Sequence, residues 1–334
     1  MRLLVRFGVL AILGCLSFAG WMTWFALTPV ALATSPLEFG IRPGLGLRGV
    51  AQAMAQAGIG FAPWQFSWLG RVTGKASSIK AGSYEVVAGI TPWQLLEKLT
   101  RGDVTQAEIL FVEGKTFRQM RQALDADPNV RHESAGMSDR EVLALIGVSE
   151  AHPEGLFFPD TYLYAKQTSD IDILKRAYRA MQRRLAAEWP NRDASLPYQT
   201  PYEALIMASI IEKETGQAAD RPLIGSVFVN RLRLGMALQT DPTVIYGLGE
   251  RFDGNLRKRD LTSDTPYNTY TRAGLPPTPI AMPGFASIQA ALRPAVSDNL
   301  YFVARGDGSS AFSRTLDEHN RAVARYQLKG RDGK

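Results

Sequence analysis

The chain has 334 residues, 46% of them hydrophobic and 21% charged, which suits about two globular domains and excludes wholesale disorder. Its one cysteine (Cys15) excludes an intramolecular disulfide framework, and with only three scattered histidines (His132, His152, His319) it also excludes a Cys/His zinc cage. No histidine lies beside a nucleophile motif, so acid–base chemistry falls to carboxylates. A net charge of +6 suits an anionic envelope polymer or membrane surface at least as well as nucleic acid.

No charged residue occurs from Phe7 to Leu37, and Arg2 and Arg6 precede that run. About 20 helical residues cross the ~30 Å hydrocarbon core, so the segment 7–27 is long enough to span it as a transmembrane helix. Trp21, Trp24 and Phe25 fall at its far end, where aromatic rings favour the interface. The arginines place residues 1–6 in the cytoplasm and export everything after about residue 30. A cleaved signal peptide is the competing reading, since Ala31-Leu32-Ala33 resembles a cleavage site. The apolar stretch exceeds the ~7–15 residues of a signal h-region, which favours an uncleaved anchor. Ile12-Leu13-Gly14-Cys15 resembles a lipoprotein signal, but the long apolar run after the cysteine argues against processing there.

Residues 38–130 carry a weak repeat of strand, glycine-containing turn and helix. Its copies read Gly44-Leu45-Gly46-Leu47 before Val50–Ala57, Gly89-Ile90-Thr91-Pro92 before Trp93–Leu99, and Gly114-Lys115-Thr116-Phe117 before Met120–Leu124. Thr91 is an N-cap candidate, with Pro92 at the first helical position, where no amide donor is needed. Strands are expected at Leu37–Ile41, Ser83–Val87 and Ile109–Val112. Such αβ units fit a small binding module, or packing units without a ligand.

From residue 131 a loop leads to one short helix (Ser138 as cap, Val142–Ile146), and Gly155–Tyr162 reads as an aromatic turn segment. Asp170–Trp189 is an amphipathic helix, with Ile171, Leu174, Tyr178, Met181 and Leu185 on its apolar face. Residues 190–201 form a turn-rich linker.

Tyr202–Thr215 is helical and apolar nearly all round, the pattern of a buried helix. It ends in Glu212-Lys213-Glu214-Thr215-Gly216, with Gly216 the expected C-cap. Two glutamates thus emerge at the end of a buried helix, where an unpaired charge is costly. Both could equally be solvated helix-end residues paired with Lys213 or Arg221, and periodicity does not choose between them. A second helix, Asp220–Leu234, closes at Gly235 and leads into Leu238–Gly247, a rigid Pro-set segment in which Asp241 reads as a turn cap. Downstream, Pro266-Tyr267-Asn268-Thr269-Tyr270 precedes a loop, Gly274–Gly284, too proline-rich for helix and suited to one wall of a groove. Tyrosine, asparagine and glutamine hold sugars by stacking and hydrogen bonds. Gln239, Asp241, Tyr267, Asn268 and Thr269 are therefore the candidate substrate-binding residues, with turn chemistry as the alternative for each.

These residues resemble the endolytic murein transglycosylases (YceG-like proteins) of bacterial inner membranes, most densely in Ala208–Thr215, Asn230–Gly249 and Tyr267–Gly284. The resemblance implies a single-pass inner-membrane protein with a periplasmic catalytic domain. The implied α+β architecture is a transmembrane helix, a small LysM-like αβ module with adjoining units (38–130), and a mainly helical α+β catalytic domain (131–330) that includes a strand at Tyr301–Ala304. It further implies non-hydrolytic cleavage of the MurNAc–GlcNAc β-1,4 bond of nascent peptidoglycan glycan strands, leaving 1,6-anhydro-MurNAc ends. Peptidoglycan synthases become candidate partners, whereas cofactor, metal and nucleic acid are not called for. By the same resemblance the catalytic residue is the second glutamate, Glu214, and Thr215 fits the Ser or Thr that follows the catalytic glutamate in other lytic transglycosylases.

In the implied reaction Glu214 donates a proton to the glycosidic oxygen and then acts as base toward the C6 hydroxyl, which attacks C1 internally. An ordinary glutamate is only about 0.2% protonated at pH 7. Burial that lifts its pKa to about 6 makes that roughly 9%. Two rivals remain at this level: a muramidase using Glu214 with Asp241, and a non-catalytic membrane-anchored glycan-binding scaffold.

Overall fold

In the computed structural model, residues 2–42 and 44–328 are described. Met1 and residues 329–330, the ends of the expected cytoplasmic segment and catalytic domain, lie outside the described residues. The chain forms two compact units, one holding the residues up to Glu108 together with Leu163–Thr168, the other Ile109–Tyr162 and everything from Ser169 onward.

The first unit begins with α1 (Arg2–Leu27), whose segment Gly8–Leu27 is long and apolar enough to cross a membrane. Then follow β1 (Ala31–Leu32), β2 (Leu37–Ile41), α2 (Leu47–Gln56), β3 (Ile59–Gly60), α3 (Pro63–Val72), β4 (Gly82–Val86) and α4 (Pro92–Arg101). β2 and β4 pair antiparallel with Phe39 opposite Tyr84, and β1 pairs antiparallel with β3. Strict alternation in β2 buries Leu37, Phe39 and Ile41 against Val50, Met54, Phe66, Leu95, Leu96 and Leu99. The expected cap on α4 is present: Thr91 Oγ1 accepts from the Gln94 amide, and Gly102 closes the helix in the left-handed conformation. α3 was not anticipated. Its signals are Pro63 in the first turn and Gln65 Oε1 accepting the Ala62 amide.

The chain passes between the units within β5 (Gln106–Leu110) and again within β6 (Thr161–Ala165). β5 begins three residues before the expected 109–112. Gln106-Ala107-Glu108 supplies the extended polar lead, and the Phe111 amide instead bonds the Asp160 carbonyl. The third repeat copy, ending in α5 (Phe117–Ala126), folds with the second unit.

In the second unit, α6 (Asp139–Ile146) starts after its cap Ser138, paired reciprocally with Glu141, and α7 (Asp170–Glu188) buries Ile171, Leu174, Met181 and Leu185 of the predicted stripe while Tyr178 is half-buried. α8 (Pro201–Glu214) is buried without a break from Ala204 to Ile211, as expected of a helix apolar on every side. α9 (Arg221–Arg233), α10 (Asp241–Leu248), α11 (Lys258–Thr262) and α12 (Phe285–Leu292) follow. α12 packs on both α8 and α9. Its approach to α9 is close: a Cβ on Gly225 would stand 2.7 Å from the Ala290 carbonyl oxygen. A hairpin of β7 (Tyr301–Ala304) and β8 (Ser310–Ser313), with α13 (Leu316–Val323) against it, completes an α+β fold.

Two local expectations are corrected. Gly216 does not cap α8. Thr215 does so in an extended conformation, its hydroxyl accepting the Gln217 amide, and Gly216 is not left-handed. Asp241 is not a turn cap but the first residue of helix α10, with Thr240 at the N-cap and Pro242 in the first turn, where proline is tolerated.

Candidate active site

α8 delivers Glu212 and Glu214 at its last turn. Two residues on a helix are about 200° apart, so the carboxyls leave on different sides. Glu212 is committed to structure. Its Oε2 accepts the Gly284 amide at 2.9 Å, and its Oε1 lies 3.6 Å from the Arg221 guanidinium. Glu113 stands beside this pair, its carboxyl raised by burial and by the Glu212 charge. It fills the space above Gly284 that any side chain there would need.

Glu214 has a different setting. No ion pair holds it among the described residues, and the Thr240 hydroxyl donates to its Oε1. Burial dominates and pushes its pKa up to about 7; the Thr240 hydrogen bond lowers it, and the Asp241 charge adds to the rise. Loss of water disfavours the charged form, so this carboxyl keeps its proton to a higher pH than an ordinary glutamate.

Thr240 is itself fixed. Its amide donates to Thr269 Oγ1 at 3.1 Å, and its carbonyl accepts from Thr243 Oγ1 at 2.8 Å. The preceding turn hangs on Arg231, a buried guanidinium that donates to the Ala237 and Leu238 carbonyls, to Gln239 Oε1 and to the Leu300 carbonyl. Gln239 adopts φ +53°, an uncommon conformation for a residue with a Cβ, held by its amide bond to the Thr269 carbonyl. Gln239 and Asp241 are exposed on either side of the buried Thr240. Tyr270 donates to Asp241 Oδ1 at 2.6 Å, and burial with that bond holds its phenol protonated.

The sequence candidates therefore separate. Glu214, Gln239 and Asp241 gather around Thr240. Asn268 is fully buried, its Nδ2 donating to the carbonyls of Asp260, Leu261 and Ser263 while its Oδ1 accepts the Tyr270 amide. Thr269 is buried in the threonine cluster under Thr240. Both act as supports, because their polar groups are already engaged. Tyr267 packs edge-on against Tyr246 and shares a hydrogen bond with Thr278. Thr240 and Tyr270 escaped the sequence reading; the one signal was their position beside Asp241 and Thr269. Glu154 was also missed. It is 3% exposed, accepts the Phe117 amide and the Tyr246 hydroxyl, and burial pushes its pKa up to about 7.

A half-buried, protonatable carboxyl with one hydroxyl donor and exposed polar neighbours can protonate a leaving oxygen and take a proton back. The Pro-rich loop is pinned on α8 where Ser209 Oγ accepts the Ile280 amide, and farther along where the Met282 amide donates to the Lys115 carbonyl and its carbonyl accepts the Gly114 amide.

The model of the YceG-like family matches residues 39–325. The chain is 36% identical over 269 residues to the endolytic murein transglycosylase of Bacillus subtilis, an alignment covering 75% of this chain and 74% of that protein. It is 27% identical over 321 residues to the endolytic murein transglycosylase of Streptococcus pneumoniae, covering 86% of this chain but only 58% of that longer relative. The crystal structure of a yceG-like protein from Listeria monocytogenes superposes with a TM-score of 0.56 at 32% identity, over 86% of this chain and 99% of the other.

Proposed function

The chain belongs to the YceG-like family and is a lytic transglycosylase, and we propose that it cuts the MurNAc–GlcNAc β-1,4 bond within glycan strands, with Glu214 as acid and then base. The observation that carries this reading is the half-buried Glu214 carboxyl, with no ion pair among the described residues, the Thr240 hydroxyl donating to it and burial pushing its pKa up to about 7. At pH 7 about half of such a group is protonated, against about 0.2% of an unperturbed glutamate.

Protonated Glu214 gives its proton to the glycosidic oxygen as the C1–O bond breaks, and the GlcNAc hydroxyl departs. The carboxylate left behind then accepts the proton of the MurNAc C6 hydroxyl as that oxygen bonds C1, closing the 1,6-anhydro ring. Protons balance over the cycle, no water is consumed, and the internal nucleophile benefits from its high effective molarity. The Thr240 hydroxyl stabilises the carboxylate stage. Gln239, Asp241 and Tyr270 line the approach and orient sugar hydroxyls, with Asn268, Thr269 and Tyr267 behind them.

We further read α1 as a single-pass inner-membrane anchor with its N-terminus cytoplasmic and the catalytic unit periplasmic. The LysM-like module is a glycan contact, and peptidoglycan synthases are candidate partners at the same membrane. Mass spectra of products from uncrosslinked glycan strands test the chemistry. Anhydro ends, lighter than hydrolysis products by one water, are expected from the wild type. Glu214→Gln should reduce turnover by about 10²–10⁴-fold, whereas Glu212→Gln should mainly lower stability. Hydrated ends would assign a muramidase using Asp241, and undiminished cleavage by Glu214→Gln would remove Glu214 from the reaction.

A further inference from the structure

The apolar helix α1 does not face lipid along its whole length. Met22, Phe25 and Ala26 are 6%, 5% and 7% exposed because they pack into the core of the first unit. Lipid cannot reach these side chains, so the final turns of α1 belong to the folded module. The aromatic rings beside them continue onto α3. Trp21 stacks on Trp64 with centroids 5.2 Å apart, and Phe18 meets Trp68 edge-on at 5.8 Å.

α3 should bury one stripe and present polar residues on the other, as surface helices do. It buries Phe66, Leu69 and Gly70 as expected. Its outer stripe, however, is Trp64, Trp68 and Val72 at four-residue spacing, 54%, 46% and 59% exposed, with the basic Arg71 beside it in the last turn. Three of the chain's six tryptophans thus meet in one aromatic cluster, and Trp24, 63% exposed, follows Trp21 about one turn further along α1.

Tryptophan concentrates at the headgroup level because its ring is apolar and its N–H needs a polar partner. The rise of α1 agrees with that depth: from Phe7 to Trp24 is about 26 Å at 1.5 Å per residue, close to a hydrocarbon core. Trp21 and Trp24 then mark the outer boundary, and the α3 stripe meets α1 there through Trp21 and about one turn deeper through Phe18.

We propose that the outer face of α3 (Trp64, Trp68 and Val72) is a membrane-docking surface, seated in the headgroup zone of the bilayer that α1 crosses. The proposal rests on α1 being an uncleaved anchor. The occupant is lipid because the patch is continuous with the spanning helix, and Arg71 suits an anionic headgroup. The consequence is a module held flat on the membrane rather than on a flexible tether.

The test uses the full chain in vesicles of phosphatidylethanolamine and phosphatidylglycerol at high lipid-to-protein ratio. Nitroxide labels are placed on native Cys15 and, in a Cys15→Ala background, on Trp64→Cys, Trp68→Cys and Val72→Cys, with retained glycan cleavage as the check on folding. Collision with oxygen and with a water-soluble nickel chelate reports depth. The expected result is an oxygen-rich signal at Cys15 and oxygen-to-nickel ratios at 64, 68 and 72 between those of Cys15 and the free label. An oxygen-rich Cys15 with water-like values on α3 would overturn the docking and leave the anchor standing. Shielding from both collision partners with dipolar broadening would mean that a second copy covers the face, which also overturns it. A water-like Cys15 would remove the anchor reading and the docking together.

Discussion

Two carboxyls two residues apart end in opposite electrostatic conditions. Glu212 faces a guanidinium and an amide, whereas Glu214 faces a single neutral hydroxyl in a desolvated place. Thr240 is thus the residue that sets how far burial raises Glu214. Thr240→Val keeps the shape and removes the donor, so the carboxylate loses a stabilising bond and its pKa rises further. The alkaline limb of the kcat/KM profile should move up by about one pH unit, the equivalent of about 1.4 kcal/mol. A profile that stays in place while activity falls would show Thr240 to act through structure alone. Asn268, by contrast, holds three carbonyls of the 260–263 segment together with the Tyr270 amide, so its contribution to the site is to aim Tyr270 at Asp241.

Among the elements, α8 can carry the glutamate only because α9 and α12 close around it. Gly225 allows that closure: its missing side chain lets the α9 backbone approach the Ala290 carbonyl. Gly225→Ala should therefore destabilise the second unit by about 1–3 kcal/mol, although alanine is the better helix former. Thermal unfolding measures it, and an unchanged or raised midpoint would refute the close-contact account. α10 shows why its type was missed. Its sequence opens on Asp-Pro, the signature of a turn, yet proline in a first turn is compatible with helix, and the Thr240 carbonyl accepting from Thr243 continues it.

Over the whole molecule, the titrating groups set the pH at which the fold is most stable. Glu154 and Glu214 are both raised from 4.5 to about 7. Between about pH 4.5 and 7 the folded chain binds more protons at these sites than the unfolded chain, so stability falls as pH rises through that window. Each group accounts for on the order of 3 kcal/mol by pH 8. Glu133, Asp193 and Asp264 are lowered by hydrogen bonds or an arginine, so what they contribute is present above their unfolded values and is lost as pH falls through the folded ones. Maximum stability is expected near pH 5. The thermal midpoint in detergent should be higher at pH 5 than at pH 8, and Glu214→Gln should narrow the gap by raising the pH 8 value. An equal gap in both proteins would refute the burial of Glu214.

Periodicity and caps by themselves determined several elements to within a residue or two: β2, β4, α4, α7, α8 and α9 stand where alternation, capping residues and apolar runs put them, whereas α3 and α10 were not read from them. These are local properties, carried by the backbone period and by hydrogen bonds three or four residues long. Motif resemblance likewise led to the family. What no local pattern held were the long-range pairings: Thr240 reaching Glu214 across 26 residues, Tyr270 reaching Asp241 across 29, and Gly284 reaching Glu212 across 72. Those contacts set the two glutamates apart, one held by Arg221 and the Gly284 amide and the other against a single hydroxyl. They exist only after α8, α10 and the Pro-rich loop have packed, because desolvation is a property of the assembled surroundings and not of the residue.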